Sequence, residues 1–358
     1  KGLLKANVLY EVGSGQEQKL EYTYVQVPAG QGIYVWNDYN HDGIATLNEF
    51  EIALYPDQAN YIKVYTPSND YVKTNYEQLN YSLDLTPRAM IDLGTAHGAR
   101  KLLASSSISS TLQISRKNVS NNKFQLSPFD QQLTDSSLLS LNSFLSNTFY
   151  FNRLNTKWGM DITQSINQVK SLLTYGFESN KTSTLNFNGR WNINRLISTN
   201  VILRSIQNQA NAPVYENRNY QIKERSIAPS VSYTHGTNIR VTLTYSLDQS
   251  RNVIGFHEQA RDNVITADLK YNVLSSSTVT ASFSINNIDF KFDTGGSINS
   301  PTGYVILNGL LPGQNYLWNI QYTKRLSTNI EINFQYTGRK PSGSSTINTG
   351  NAAIRAFF

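Results

Sequence analysis

Leu185-Asn-Phe187-Asn-Gly-Arg-Trp191-Asn-Ile193-Asn alternates apolar with polar side chains along most of its length. Successive side chains of an extended strand point to opposite sides, so this spelling puts one chemistry on each face of a sheet. The spelling recurs in Arg240-Val-Thr-Leu243-Thr-Tyr245-Ser-Leu247, Ile265-Thr-Ala-Asp-Leu269-Lys-Tyr271-Asn-Val273, Val279-Thr-Ala-Ser-Phe283-Ser-Ile285-Asn and Ile330-Glu-Ile332-Asn-Phe334-Gln-Tyr336. Each run is about eight to ten residues, longer than the usual five or six of soluble sheets and close to the 9–11 that a tilted strand needs to cross a bilayer.

Working outward, the pattern predicts eleven strands, at 158–167, 171–179, 184–193, 199–207, 220–233, 239–249, 263–273, 278–287, 315–323, 329–337 and 349–358. Short turns at 194–200, 235–238, 272–278 and 324–329 alternate with longer polar links at 208–219, 249–262, 289–314 and 337–350. Outer-membrane barrels have this parity, with short turns on one rim and long loops on the other. Even strand numbers prevail in single-chain bacterial barrels, so 110–117 and 147–152 are candidates for further strands. The apolar face carries Trp, Tyr and Phe near strand ends, where girdles at the two membrane interfaces require them. A soluble β-sandwich alternates in the same way and is the competing fold.

Composition narrows the classes. The 358 residues include no Cys, which excludes disulfide scaffolds, zinc ribbons and thiol enzymes. No apolar run reaches the roughly 18 residues of a membrane-spanning helix, so a membrane crossing has to use strands. No signal peptide is visible in the opening Lys1-Gly-Leu-Leu-Lys. The net charge of +6 divides unevenly, −3 over residues 1–150 and +9 over 151–358. The basic residues are scattered singly through β-patterned segments, which argues against nucleic acid and leaves anionic lipid as a counter-charge.

Three regions result: a β-rich region over 1–90, a connecting segment over 91–157 and barrel strands over 158–358. In the first, 5–12, 18–27, 33–36, 61–65 and 76–85 read as strands, with Gly13-Ser-Gly15 and Gly30-Gln-Gly32 as turns. In the second, Asp135-Ser-Ser-Leu138-Leu139-Ser-Leu141-Asn-Ser-Phe144-Leu145 has apolar residues at helical spacing and predicts a short packing or plugging helix.

The one motif with definite chemistry is Asp38-Tyr-Asn40-His-Asp42-Gly43-Ile-Ala-Thr-Leu-Asn-Glu49. It fits the calcium-loop pattern D-x-[DN]-x-[DN]-G-x5-E at every specified position. Asp38, Asn40 and Asp42 would converge their oxygens on one ion, Gly43 turns the chain, Ile44 offers its carbonyl, and Glu49 closes the shell. Such an oxygen set suits Ca2+ in a structural role. The strand-like Gly32-Ile-Tyr-Val-Trp36 precedes the loop, and only 47–55 has helical character, so the motif reads as a strand-flanked clip. An ion-free Asx-rich turn is the other reading. Nothing matches H-E-x-x-H, G-x-S-x-G, a P-loop or a dinucleotide fingerprint, and no enzyme is expected.

Tyr24-Val-Gln-Val-Pro28-Ala-Gly-Gln-Gly32-Ile-Tyr-Val-Trp36-Asn-Asp-Tyr-Asn40-His-Asp-Gly43, followed by Asn48-Glu-Phe-Glu and Asp57-Gln-Ala-Asn-Tyr61-Ile, resembles large cell-surface outer-membrane proteins of the Bacteroidota. Phe149-Tyr-Phe-Asn152-Arg, Tyr336-Thr-Gly-Arg339 and Ile354-Arg-Ala-Phe-Phe358 are similar too, over what corresponds to the C-terminal part of such proteins. The closing Phe also resembles the assembly signature of bacterial outer-membrane barrels. The resemblance implies an outer-membrane location and a transport, secretion or assembly setting, but no reaction.

The expected fold class is therefore all-β: an antiparallel transmembrane β-barrel of about twelve or more strands, whole or part of a larger one, behind a β-rich region with an EF-hand-like loop. The expected function is a pore or scaffold subunit of a surface transport, secretion or membrane-assembly complex. Expected partners are outer-membrane lipid and lipopolysaccharide and other outer-membrane or surface proteins, with no nucleic acid. The alternative is a secreted or surface-attached, calcium-stabilised β-sandwich that binds glycans or mediates adhesion.

Overall fold

The computed structural model describes residues 2–120, 137–174, 176–273 and 277–357. Its strands are β1 (Leu4–Gln26), β2 (Tyr34–Trp36), β3 (Phe50–Ile52), β4 (Tyr61–Leu85), β5 (Ser106–Val119), β6 (Leu138–Phe151), β7 (Trp158–Leu173) and β8 (Gly176–Asn192). They continue with β9 (Ile197–Asn211), β10 (Tyr220–His235), β11 (Ile239–Asn252), β12 (Gln259–Val273), β13 (Ser277–Lys291), β14 (Gly313–Arg325), β15 (Ile330–Lys340) and β16 (Ile347–Ala356). Two short helices, α1 (Gly98–Ala104) and α2 (Pro301–Ile306), lie in the links.

All sixteen strands belong to one sheet. From β4 to β16 each pairs antiparallel with its successor in the chain, and β1 pairs with β4 on the far side. This is an up-and-down antiparallel β-barrel wall, as the alternating pattern predicts. Residues 1–157 belong to the same sheet, contributing β1, β4, β5 and β6 to it.

Register fixes the two faces. Directly paired residues share a face, and Phe187, Leu203 and Ile227 pair in succession across β8, β9 and β10. Val231, Leu243, Ala267, Phe283 and Trp318 do the same from β10 to β14. Leu243 is 56% exposed and Phe283 43% exposed, and Leu185, Val231, Ile265, Leu269, Ile320 and Phe334 are exposed with them. Among the described residues no second sheet covers this belt and every strand lies in the one sheet, which overturns the sandwich alternative. The opposite face carries Asn186, Arg204, Ser226, Asp248, Asp262 and Asn286, and its cross-strand bonds include Asn286 Nδ2 to Asp262 at 2.8 Å and Asn188 Nδ2 to Asp161 at 3.0 Å. Trp318 lies across Gly338, where any Cβ would strike its ring, so the belt stays smooth at the β14–β15 seam.

From β9 to β16 the rims follow the predicted parity, whereas the tight β7–β8 connection between Leu173 and Gly176 lies on the long-link rim. Short connections at 193–196, 236–238 and 326–329 share one rim with a longer link, 86–105, that carries α1. The other rim bears 212–219, 253–258, 292–312 and 341–346. There α2 folds inward, and Ile306, Leu307 and Leu310 pack on the inner faces of β10, β12 and β13 through Ile222, Ala260 and Ile288. The lumen therefore holds an apolar core at this end.

Four local expectations are corrected. Residues 138–145 are the start of β6, not a helix; 135 and 136 lie outside the described residues. A register shift opposite Lys117 and Asn118 absorbs the doubled Leu138-Leu139, and that doubling mimics helical spacing in an otherwise period-two run. The strand expected at 171–179 straddles the connection between β7 and β8, whose true strands are 16 and 17 residues long. The region 158–358 thus holds ten strands, and β5 and β6 include the two upstream candidates. Gly13 and Gly15 lie inside β1, where Gly13 leaves room for the ring of its cross-strand partner Tyr76. Finally, 47–55 forms one 3-10 turn followed by β3.

If lipid solvates the belt, Phe187→Lys or Leu269→Arg should each cost about 2–4 kcal/mol near mid-bilayer. Denaturant titration in detergent micelles or vesicles measures this, and normal insertion of both variants refutes a lipid-facing belt.

Candidate functional site

β1 and β4 are the longest strands, at 23 and 25 residues. At roughly 3.3 Å per residue they are far longer than the other strands, and their paired upper ends meet the long-link rim, where Leu20 pairs parallel with Leu173 at the end of β7. Between them, residues 27–60 form a strap closed by the β2–β3 hairpin, with Tyr34 paired to Ile52 and to Tyr61. A ladder of rings stiffens its base: Tyr24 stacks on Phe50 at 3.9 Å, and Tyr34 and Tyr61 pack edge-on at 5.0 and 4.9 Å.

The predicted calcium loop joins β2 to β3. Asn37 N–H donates to the Glu49 carbonyl at 2.9 Å and closes it. Asp38 accepts the amides of Asp42 and Gly43 at 3.2 and 3.0 Å, and Asn40 Oδ1 accepts that of Asp42 at 3.0 Å. His41 and Gly43 take positive φ, which turns the backbone around these side chains. Glu49 is almost fully buried, its Oε2 fixed by Trp36 Nε1 and Thr46 N–H at 3.1 Å each. The result brings oxygens of Asp38, Asp42 and Glu49 within 4.8 Å of one another. Asn40 lies against them, its Nδ2 2.9 Å from Asp42. Ile44 joins through its backbone, donating to Asp42 at 2.6 Å, with an exposed side chain. Three carboxylates and an amide oxygen on a pre-shaped loop are a hard-cation donor set.

What sequence reasoning missed is how the strap is seated. Residues 27–60 carry Asp38, Asp42, Glu49, Glu51 and Asp57 with no Lys or Arg. On one side Tyr22 Oη donates to Glu178 of β8 at 2.9 Å, and Lys63 sits 3.6 Å from the same carboxylate and over the Tyr22 ring. Arg218, in the β9–β10 link, donates to the Phe50 carbonyl at 3.3 Å. On the other side Arg339 of β15 pairs with Asp57 and stacks on Tyr55. In between, Tyr304 of α2 donates to the Ile52 carbonyl at 3.2 Å, and Tyr55 donates to the Asn308 carbonyl. The strap therefore crosses the mouth from β8 to β15. Below it, a cavity of about 240 Å3 is lined by Arg204, Glu224, Ser226, Asp248 and Asp262 and roofed by Leu307 and Asn308.

Burial pushes Glu51 up to about 7, against the pull of Arg218. Its Oε1 is buried without a hydrogen-bond partner among the described residues. Burial likewise lowers Lys63, opposed by Glu178.

No protein-family model and no curated protein matches the chain. Among solved structures it is similar to CdiB from Acinetobacter baumannii, at 9% identity and TM-score 0.40, covering 95% of this chain and 60% of CdiB. The outer membrane channel DcaP of Acinetobacter baumannii gives 9% identity and TM-score 0.35, covering 100% of this chain and 98% of DcaP. The ferric-catecholate import receptor Fiu from E. coli K12 gives 13% and 0.40, covering 99% and 63%. The chain thus spans less than two thirds of CdiB and of Fiu, and likeness at these scores carries no argument about function.

Because the raised carboxyl of Glu51 fits its seat protonated, its stabilisation is full below the ordinary carboxylate range and is lost as pH rises toward about 7. Protection from hydrogen exchange in 34–61, relative to the intrinsic rate at each pH, should therefore fall between about pH 4.5 and pH 7 in the parent and change less in Glu51→Gln. An identical profile in both proteins refutes this.

Proposed function

We propose that the chain is the wall and strap of an outer-membrane β-barrel that serves as a pore or scaffold subunit of a surface transport, secretion or assembly complex, without catalytic activity. One observation carries the reading: the continuous exposed apolar belt over a polar, partly plugged interior. In water such a belt would drive aggregation, whereas in a bilayer it is the favoured surface. The likeness to Bacteroidota surface proteins supports the same setting. The long-link rim and its strap face outward, toward lipopolysaccharide and surface partners, and the short-turn rim faces the periplasm.

In this reading Asp38, Asn40, Asp42, the Ile44 carbonyl and Glu49 hold a structural Ca2+. The ion neutralises the most acidic part of the strap and fixes the loop, which touches the β13–β14 link where Asn299 Nδ2 approaches the Asp38 carbonyl at 3.5 Å. The strap and α2 act as the occluding element of the mouth.

A closed barrel is expected to show heat-modifiable migration on a detergent gel; its absence counts against the wall. Loosening both ends of the strap with Glu178→Gln and Arg339→Gln should raise conductance in planar bilayers, and unchanged conductance refutes occlusion. Asp38→Ala with Glu49→Ala should abolish the gain in thermal stability that calcium gives over chelator. A parent protein that melts identically in calcium and in chelator by calorimetry has no such site.

A further inference from the structure

The two rims differ in charge in a way that does not follow the halves of the sequence. On the short-turn rim, link 86–105 carries Arg88, Arg100 and Lys101 against Asp92, link 152–157 carries Arg153 and Lys157 with no acid, and 193–196 carries Arg195. Among the described residues, the strap and the links 212–219, 253–258, 292–312 and 341–346 of the opposite rim carry the five carboxylates of the strap with Glu216, Glu258 and Asp293, against Arg218.

Within the basic rim lies a cavity of about 570 Å3 between the α1 link and the β6–β7 turn. Three cations line it, Arg88, Lys101 and Arg153, with Ser107, Asn152 and Asn155 as further polar groups and no carboxylate among the described residues. Both walls are held in place. Asn155 Oδ1 accepts the Lys157 amide at 2.7 Å, Arg190 donates to the Asn155 carbonyl at 2.9 Å, and Arg153 stacks over Tyr150 at 4.4 Å. On the facing side the Ser105 and Ser106 hydroxyls donate to the carbonyls of Lys101 and Leu102, and Asn152 N–H donates to the Ser105 carbonyl. Leu154 of the lining is 72% exposed, and Met90, Leu102 and Leu103, in the same link that supplies Arg88 and Lys101, are exposed as well.

We propose that this cavity binds a phosphate ester, the headgroup of an anionic phospholipid at the periplasmic interface. Three cations without facing carboxylates match a phosphodiester, to which Arg and Lys donate charge-assisted hydrogen bonds. The exposed Met and Leu side chains match acyl chains at the boundary of headgroup and hydrocarbon. The assignment to lipid rests on reading the sheet as a membrane wall, which gel migration of each variant checks separately.

The test is titration of the detergent-purified protein with dioctanoyl phosphatidylglycerol and, in a second arm, with glycerol phosphate, read by native mass spectrometry. The parent should bind one lipid, and Arg88→Gln, Lys101→Gln and Arg153→Gln combined should weaken it by roughly tenfold or more while heat-modifiable migration is kept. Preference for the lipid over glycerol phosphate by about tenfold assigns the site to a headgroup. Equal binding of both, lost in the triple variant, keeps the phosphate site and overturns the lipid source. Unchanged binding in a folded triple variant, or no binding of either compound by the parent, overturns the proposal.

Discussion

A backbone amide stripped of water must find a partner, and in hydrocarbon it finds one only along its own helix or across a strand ladder. In a membrane, the wall of this chain would meet that requirement strand by strand. Consecutive strands from β4 to β16 satisfy one another edge to edge. Because the ladder repeats every two residues, the side chains are sorted onto two faces with no further instruction. Leu243 and Phe283 then stand outward and Asp248 and Asp262 inward by parity alone. The polar groups of the lumen wall, charged ones included, sit on the face away from the belt, where they bond to one another across strands.

The strap solves a different problem. It lies on the lumen mouth, where burial of apolar area is supplemented by specific polar seats. Its Asp57 meets Arg339 of the wall on one side, and on the other Arg218 of the β9–β10 link donates to the Phe50 carbonyl. Where a carboxylate is buried too deeply for its cation to compensate, as at Glu51, the proton stays on longer. The loop 38–49 lies within this same strap, so the chemistry that would bind an ion and the chemistry that seats the strap draw on one acidic segment.

Much of the wall was legible because its information is local. Period two, strand length and the parity of the links are properties of neighbouring residues, and the loop 38–49 is a local spelling whose carboxylates the fold does bring together. The misreadings share a cause as well. Leu138-Leu139 and Leu172-Leu173 break strict alternation, the first through a register shift and the second at a tight connection. The strap's seat was out of reach for another reason: Tyr22 meets Glu178 across 156 residues and Asp57 meets Arg339 across 282, and no short-range pattern encodes either pairing.

Glu178 on β8 and Arg339 on β15 anchor opposite ends of one crosspiece, seven strands apart in the wall. A thin cylinder of strands resists stretching along its ladders far better than flattening, since flattening only bends them. A crosspiece pinned at two distant staves works like a spoke, holding the rim open and round. In a bilayer, lateral pressure on the wall would then be carried by a few polar joints in the mouth and not by the curvature of the wall alone.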